Sequence, residues 1–186
     1  MVQILEKSLY NPVIIEESKD IREIREALDT ILYAPNKKVR KYVIDELCNY
    51  ISSKFTNPEY KLKVFLAHQG VKVLGFVIAQ LDSNYTSYSR KCGTFGWLYA
   101  DSLDICKNLT KKCELFIKEN KVRKIRGPIN FPKNIGGLGF QSEGFEEQML
   151  YGVSSFNKNT TILDYLVRLG YKKESEYTCV YVAQKD

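Results

Sequence analysis

The stretch from Gly93 to Asn134 constrains the fold more than any other part of this chain, because its pattern predicts a strand, a long helix and a second strand. In the first segment, Thr94 to Ala100, a period of two puts Phe95, Trp97 and Tyr99 on one face and the smaller residues between them on the other. Both faces are apolar in this pattern. The segment is therefore expected to be a strand buried inside a sheet.

The expected helix runs from Ser102 to about Glu119, and its apolar residues recur at spacings of three and four, which gathers one stripe for a sheet face. That stripe consists of Ile105, Cys106, Leu109, Cys113, Phe116 and Ile117. Lys124 and Ile125 open a second short strand, which Gly127 and Pro128 end because proline has no amide hydrogen for a ladder. This order predicts parallel pairing through a right-handed crossover, with strand ends that part past the proline.

The other segments extend this unit into a mixed α/β sheet with helices on both faces. Lys61 to His68 and Val71 to Leu81 are expected to form a hairpin around Gln69-Gly70, with the doubly apolar Val73 to Ala79 in the sheet interior. Before the hairpin we expect a short strand at 13–15 and helices at 21–31 and 39–51. After it we expect a polar, flexible connection at 84–91, an irregular loop at 134–147 and an extended segment at 148–153. The last expected elements are a helix that is capped by Asn159 or Thr160 and ends at Gly170, and a strand at 176–183.

Composition indicates one domain around a single core. At 186 residues the chain can bury a sizeable core, and we expect an N-terminal lead of residues 1–12 before a single domain of 13–186. Its five cysteines lack CxxC spacing and fall on expected apolar faces, which favours reduced core thiols over disulfides or zinc ligands. No apolar run is long enough to span a membrane and no signal-peptide pattern opens the sequence, so a cytoplasmic location is expected.

Three features that often carry chemistry are weak in this sequence. His68 is the only histidine and is expected at a hairpin end, so neither a histidine-dependent triad nor a metal site is expected. The glycines at 136, 137, 139 and 144 lack the spacing of a phosphate-binding loop, and turns explain them. Five basic residues lie between Lys118 and Arg126, but strand alternation scatters them, so nucleic acid is not an expected partner.

Two short motifs follow the second strand of the central stretch. Gly-Pro-Ile-Asn-Phe occupies residues 127–131, and Gly-Leu-Gly-Phe-Gln-Ser-Glu-Gly-Phe occupies residues 137–145. In this order, behind this strand and helix, they resemble the signature of a GNAT-like branch of the N-acetyltransferase superfamily, from about Asn57 to Tyr181. The resemblance implies the acyl-CoA N-acyltransferase fold, a mixed sheet with helices on both faces that splays open after its fourth strand.

The resemblance also implies a site at the splay. The cofactor would be acetyl-CoA or another acyl-CoA, bound at Leu98, Ala100, Ser102 and Asn159. The candidate catalytic residues are Tyr99 and Asn130, and the candidate substrate-binding residues are Trp97, Phe131 and Asn134. The acceptor would be a small-molecule or peptide amine, no membrane partner is implied, and a homodimer stays open.

The sequence departs from the superfamily pattern at two places. The turn at 100–104 lacks the glycines and the arginine that hold a pyrophosphate, and its two carboxylates would repel that anion. In the last helix, Leu166 occupies the position where a tyrosine often protonates the departing thiolate, and a leucine cannot donate a proton. An N-acetyltransferase is therefore expected to be slow, and the alternative is a catalytically weak or inactive module that binds a ligand or a protein on the same fold.

Overall fold

The computed structural model describes residues 11–33, 36–143 and 161–177. In chain order its elements are β1 (Ile14–Ser18), α1 (Ile21–Ile31), α2 (Lys37–Phe55), β2 (Tyr60–Gln69), β3 (Lys72–Asp82), β4 (Thr86–Ser87), β5 (Arg90–Lys91), β6 (Gly93–Ala100), α3 (Leu103–Glu119), β7 (Ile125–Arg126), α4 (Lys133–Gly136) and α5 (Thr161–Arg168).

The main sheet has five strands in the order β1-β2-β3-β6-β7. The pairings from β1 to β6 are antiparallel, whereas β6 and β7 are parallel, with Gly93 opposite Ile125. The predicted mixed sheet, the hairpin of β2 and β3 and the parallel pairing across α3 are confirmed. The hairpin turns at Gly70, whose φ of +60° is one that glycine adopts without strain.

Side-chain caps fix where two of the helices begin. Asp20 accepts a hydrogen bond from the backbone N–H of Arg22 (2.8 Å) at the start of α1, and Ser102 Oγ accepts one from Ile105 N–H (3.3 Å) at the start of α3. Each cap satisfies a backbone donor that has no partner inside its helix. α3 therefore begins at Leu103, close to the carboxyl end of β6 at Ala100.

Two hydrophobic clusters cover the two faces of the sheet. On one face α1 and α2 pack against residues that include Val64, Phe76, Ile78 and Trp97. On the other face α3 and α5 pack against residues that include Val77, Ala79, Phe95 and Leu98. Helices on both faces, as predicted, make the central strands inaccessible to solvent over most of their length.

Four of the five cysteines are buried free thiols, as predicted. Cys48 lies in the cluster under α2, and Cys106 and Cys113 lie in the cluster under α3. Burial raises the pKa of the Cys106 thiol to about 12. Cys179 lies outside the described residues.

The prediction that Phe95, Trp97 and Tyr99 share one face of β6 is wrong. Phe95 packs on the α3 side, whereas Trp97 and Tyr99 pack on the side of α1 and α2. The pairing register between β3 and β6 shifts between Phe76 and Ile78, and Trp97 has a φ of +53°. Such a bulge inserts one extra residue in β6, so the side chains after it change face relative to those before it.

The polar connection at 84–91 contains a second, small sheet. β4 and β5 pair antiparallel around Tyr88 and Ser89, which have φ values of +51° and +59°. Two consecutive residues with positive φ are what a tight hairpin turn requires. This small hairpin was not predicted within the flexible connection.

The end of the chain is described only in part. Gly170 follows α5 with a φ of +88°, as its predicted role of helix terminator requires. The extended segment at 148–153, the cap at Asn159 or Thr160 and most of the strand at 176–183 lie outside the described residues. Within the described ranges, no helix has both the length and the apolar composition that crossing a membrane demands.

Candidate functional site

The segment after Gly127-Pro128 packs directly against β6. The backbone N–H of Ile129 donates to the carbonyl oxygen of Phe95 (2.8 Å). Glycine is needed on both sides of this contact: a Cβ at Gly127 would come within 2.5 Å of the Phe95 ring, and a Cβ at Gly96 would overlap the carbonyl oxygen of Ile129. The Gly-Pro-Ile-Asn-Phe motif is therefore built into the sheet and does not form a free loop.

Asn130 holds this segment against β6 through hydrogen bonds of its side chain. The side chain is fully buried, its Oδ1 accepts a hydrogen bond from Trp97 N–H (2.6 Å), and its Nδ2 donates to Gly136 O (3.0 Å). The backbone N–H of Asn130 donates to Gly137 O (2.9 Å), and the indole Nε1 of Trp97 donates to Phe131 O (2.7 Å). The carboxamide thus takes the place of a strand partner for the bulge of β6, which gives Asn130 a positioning role.

Beyond the contact with Asn130, none of the described strands lies beside the edge of β6. The last ladder pair between β6 and β7 is Thr94 with Arg126, and Asn130 extends the contact only as far as Trp97. Among the described residues no strand pairs with Leu98 to Ala100 on the β7 side. The two strands therefore part after Trp97, as the sequence predicts for this region.

The parting leaves a backbone donor on the open side. Asp101 N–H donates to Leu74 O on β3 (2.9 Å). Successive N–H groups of a strand point to opposite sides, so the N–H of Ala100 points away from β3. An amide-bearing ligand that lies along Leu98 to Ala100 would meet this donor, just as a further strand would.

Tyr99 is the next-to-last residue of β6, and its hydroxyl reaches a charged pair formed by Asp101 and Lys72. Its hydroxyl donates to Asp101 Oδ1, and the ammonium of Lys72 lies 3.3 Å from Asp101 Oδ2. Burial, the hydrogen bond to Asp101 and the negative charge of that carboxylate together raise the pKa of Tyr99 to about 12. Tyr99 is therefore a neutral phenol at physiological pH, with its proton directed at a carboxylate.

Lys72 changes the electrostatics that the sequence predicts for the turn at 100–104. Asp101 does not face the start of α3 as an isolated charge, because Lys72 on β3 compensates it. The N-terminus of α3 carries backbone N–H groups and the positive end of the helix dipole, and Asp104 is the exposed carboxylate within its first turn. The repulsion expected for an anion at this turn is therefore reduced to the contribution of Asp104.

The remaining predicted site residues have the following placements. Leu98 and Ala100 are buried, and Leu98 packs beneath α3. Phe131 is half-buried and Asn134 is exposed on α4. Hydrogen bonds join Trp97, Asn130 and Phe131 directly, whereas Asn134 makes no such contact among the described residues, and Asn159 lies outside them. The roles given to these residues stay predictions.

Sequence reasoning missed an aromatic surface beside Trp97 and Asn130. The rings of Tyr50 on α2 and Phe131 are nearly parallel, with centroids 6.5 Å apart and 8° between their planes. Tyr85 meets the Phe131 ring edge-on at 6.4 Å. Tyr50 OH donates to Gln80 Oε1 (2.5 Å). Tyr50 borders the buried stripe of α2, and that position is the one signal in the sequence that places it near the sheet.

Two cavities lie away from these residues. One of about 190 Å³ is lined by Glu59, Lys61, Leu81, Asp82, Ser83, Lys91, Cys92, Asn120 and Val122, and one of about 340 Å³ is lined by Val13, Ile15, Asn108, Lys111, Lys112 and Leu115. Neither is lined by a predicted site residue. A functional cavity between Tyr99 and Asn130 under the loop of 134–147 stays a prediction, and residues 144–147 of that loop lie outside the described residues.

Charged groups at the β2–β3 hairpin and in the basic stretch form local pairs. His68 lies on β2 with its Nε2 2.9 Å from Glu16 Oε1. In the basic stretch that ends at Arg126, that guanidinium bonds Glu174, and Lys124 lies 3.8 Å from the same carboxylate. No cluster of three histidine, cysteine or acidic side chains suited to a metal ion occurs in the part of the chain that the structure describes.

Solved structures of other proteins resemble this chain, whereas no protein-family model and no curated protein matches it. A predicted acetyltransferase from Clostridium acetobutylicum, solved with acetyl-CoA, is 12% identical, with a TM-score of 0.55 over 91% of this chain and 96% of that one. AAC(6')-Iy, in complex with the bisubstrate analogue CoA-S-monomethyl-acetylneamine, is 12% identical, with a TM-score of 0.53 over 93% and 99%. A transcriptional regulator from Bacillus halodurans C-125 is 12% identical, with a TM-score of 0.57 over 92% and 100%.

These similarities establish the fold and nothing finer. The mixed sheet with helices on both faces is that of GNAT acetyltransferases, which confirms the predicted fold class. At such low identity the similarity is to the architecture alone, and proteins of one fold differ widely in what they do.

Proposed function

We propose that this chain is an acyl-CoA-dependent N-acetyltransferase that acts on a small-molecule or peptide amine. One observation carries the proposal. The open edge at Leu98 to Ala100, the N-terminus of α3 and the hydrogen-bonded pair of Tyr99 and Asp101 all lie at the carboxyl end of β6. Backbone donors for an amide chain, a positive helix end for an anion and a group that can move a proton are the parts that acyl transfer from a coenzyme A thioester requires.

The residues at this strand end fit acetyl-CoA. The pantetheine amides would bind the backbone of Leu98 and Ala100. Lys72 offsets the charge of Asp101, and the pyrophosphate would bind the first N–H groups of α3 beyond Ser102, where the helix dipole is positive. Asp104 opposes this charge and weakens the site. When bound, acetyl-CoA supplies an acyl group that is activated as a thioester.

Tyr99 and Asp101 offer a route for the proton that an attacking amine must lose. A phenolic oxygen accepts a hydrogen bond as well as donating one. As the amine gives its proton to Tyr99 Oη, the proton that Tyr99 already directs at Asp101 passes to that carboxylate, so the tyrosine stays neutral and Asp101 takes up the charge change. When the bond between the acyl carbon and the sulfur of coenzyme A breaks, the proton held by Asp101 would return through Tyr99 Oη to the departing thiolate, so the route needs no tyrosine at the position of Leu166. In this scheme Tyr99 touches the substrate and Asn130 acts through the bulge that it holds.

The proposal is tested by measuring thiol release from acetyl-CoA with a panel of primary amines. Tyr99→Phe keeps the ring but removes the hydroxyl, so kcat is expected to fall about a hundredfold while the Kd for acetyl-CoA is unchanged. Asp101→Asn is expected to lower kcat similarly. Tyr42→Phe, on the exposed side of α2, is the matched control and is expected to leave kcat unchanged.

Two outcomes would contradict the proposal in different ways. Acetyl-CoA that binds without turnover for any amine would favour the ligand-binding module on the same fold. Equal kcat for the native protein and Tyr99→Phe would show that the proton leaves by another route.

A further inference from the structure

The aromatic surface of Tyr50, Tyr85 and Phe131 adjoins Trp97, two residues before Tyr99 on β6. Trp97 at the bulge donates its indole hydrogen to the carbonyl oxygen of Phe131 (2.7 Å), so the Phe131 ring extends from the point where β6 and β7 part. Tyr50 comes from α2, so this surface lies on the sheet face opposite α3. All three residues are half-buried.

Two lysine ammonium groups flank these rings. Lys54 Nζ lies 5.3 Å from the centroid of Tyr50 and 3.3 Å from that of Tyr60, and Lys133 Nζ lies 5.4 Å from the centroid of Phe131. In the described part of the chain, neither ammonium has a carboxylate within 4 Å. Contact with a ring face orients an ammonium but uses none of its N–H donors for an acceptor oxygen.

The third edge of the surface is also basic. Arg126 Nη1 donates to the hydroxyl of Tyr85 (3.1 Å), although the charge of this guanidinium is compensated by Glu174. Asp82 is the carboxylate near Tyr50 and contributes to the raised pKa of that hydroxyl. Two uncompensated lysines against one nearby carboxylate leave the surface positive, so a polycationic amine would meet like charges there.

We infer that the acceptor of this enzyme is an amine that carries a planar ring and an anionic group, either a carboxylate or a phosphoryl group. The ring packs against the aromatic faces of Tyr50 and Phe131, where aromatic contacts add to the burial of apolar area. The anion binds Lys54 or Lys133, and the amine reaches toward the parting of β6 and β7. The inference rests on the proposed function and narrows its acceptor to one chemical class.

Trp97 provides a direct test, since it is the only tryptophan and its indole contacts Phe131. Its fluorescence is titrated with 4-(aminomethyl)benzoate, with 4-(aminomethyl)phenylphosphonate, with the uncharged-ring analogue benzylamine and with the polycation neamine. At low salt, the better of the two anionic amines is expected to bind about tenfold more tightly than benzylamine, and neamine more weakly than either. Comparison of the carboxylate with the phosphonate identifies which anion the site prefers.

Two double variants test whether the preference for anionic amines comes from the charges of Lys54 and Lys133. Lys54→Gln with Lys133→Gln replaces both charges by neutral polar side chains that are one atom shorter, and it is expected to bring the anionic amines to within about twofold of benzylamine. Lys111→Gln with Lys112→Gln, on α3 and away from the rings, removes the same charge and is expected to keep the tenfold preference. The inference would be overturned if the native protein bound the anionic amines and benzylamine equally, or bound neamine more tightly than benzylamine. An unchanged preference in the Lys54 and Lys133 variant would overturn it as well.

A separate calorimetric titration with acetyl-CoA distinguishes failure of the acceptor class from failure of the proposed function. If acetyl-CoA binds and is turned over with an amine, but anionic amines gain nothing over benzylamine, the acceptor class is wrong and the enzyme stands. If anionic amines show the preference but acetyl-CoA does not bind, the aromatic surface is a ligand site and the transferase is wrong.

Discussion

Replacement of Asn130 by alanine should cost this protein a large part of its stability. The substitution leaves Trp97 N–H and Gly136 O without their partner inside a fully buried site. Each buried group left unsatisfied costs about 1–3 kcal/mol, so the pair costs about 4 kcal/mol of unfolding free energy. For a domain of this size that loss lowers Tm by about 10 °C.

Urea denaturation, followed by circular dichroism and by Trp97 fluorescence, measures this loss. Asn134→Ala provides the matched control, because Asn134 is exposed on the next element and is expected to change stability by less than about 0.5 kcal/mol. A loss below about 1 kcal/mol in Asn130→Ala would refute the claim that this carboxamide holds the segment against β6.

Asn130→Asp adds a pH dependence that a simple packing defect would not produce. The new carboxyl would face Gly136 O, to which the native amide donates, so only its protonated form can make that bond. Its pKa is therefore raised in the folded state above the ordinary value of about 4. The variant should be closest to native stability below about pH 4 and should lose stability as the pH rises through the raised folded pKa. A constant difference from the native protein between pH 4 and 8 would contradict this.

Three further predictions concern the contact at Gly96, the start of α3 and the buried thiols. Gly96→Ala should lose about 3 kcal/mol of stability in urea, since its methyl group would overlap the backbone of Ile129; near-native stability would mean that the segment moves freely. Asp104→Asn should tighten acetyl-CoA binding about threefold in low salt and much less in high salt, as measured by calorimetry, and a salt-independent Kd would exclude an electrostatic cause. The buried thiols of Cys48, Cys92, Cys106 and Cys113 should resist alkylation at pH 8 until the protein unfolds, since burial raises their pKa; rapid labelling detected by peptide mass spectrometry would contradict their placement.

The sequence predicts the sheet well because its strands and α3 have strong periodicity. Doubly apolar strands, a glycine at a tight turn and a stripe at helical spacing are local patterns, and they are enough to predict the β2–β3 hairpin and the parallel pairing across α3. Those two features already specify a mixed sheet with helices on both faces.

The bulge of β6 could not be predicted in this way. It depends on Asn130, which is distant in the sequence and occupies the hydrogen-bonding position of a missing strand partner beside Trp97. A period-two pattern assumes an unbroken ladder, so it assigns Phe95 to the wrong face once one residue is inserted. The resemblance implied a catalytic role for Asn130, and the hydrogen-bond partners of its carboxamide are backbone groups of Trp97 and Gly136.

The charge of the turn at 100–104 could not be predicted from local sequence patterns either. Two carboxylates are visible in the sequence, but the lysine that compensates Asp101 comes from the start of β3 and is adjacent only in the folded sheet. The same is true of Tyr50, Tyr85 and Phe131, which come from three different parts of the chain. Electrostatics and aromatic contacts between distant elements depend on the fold, so they appear only once the fold is known.

The central claim is that acetyl-CoA binds along the open end of β6, and a titration of the ¹⁵N-labelled protein with acetyl-CoA, followed residue by residue by NMR, tests it most directly. The expected result is a saturable, one-to-one change that is largest at the backbone amides of Leu98 to Asp104. No change at millimolar acetyl-CoA, or changes concentrated around residues of either of the two described cavities, would contradict the claim.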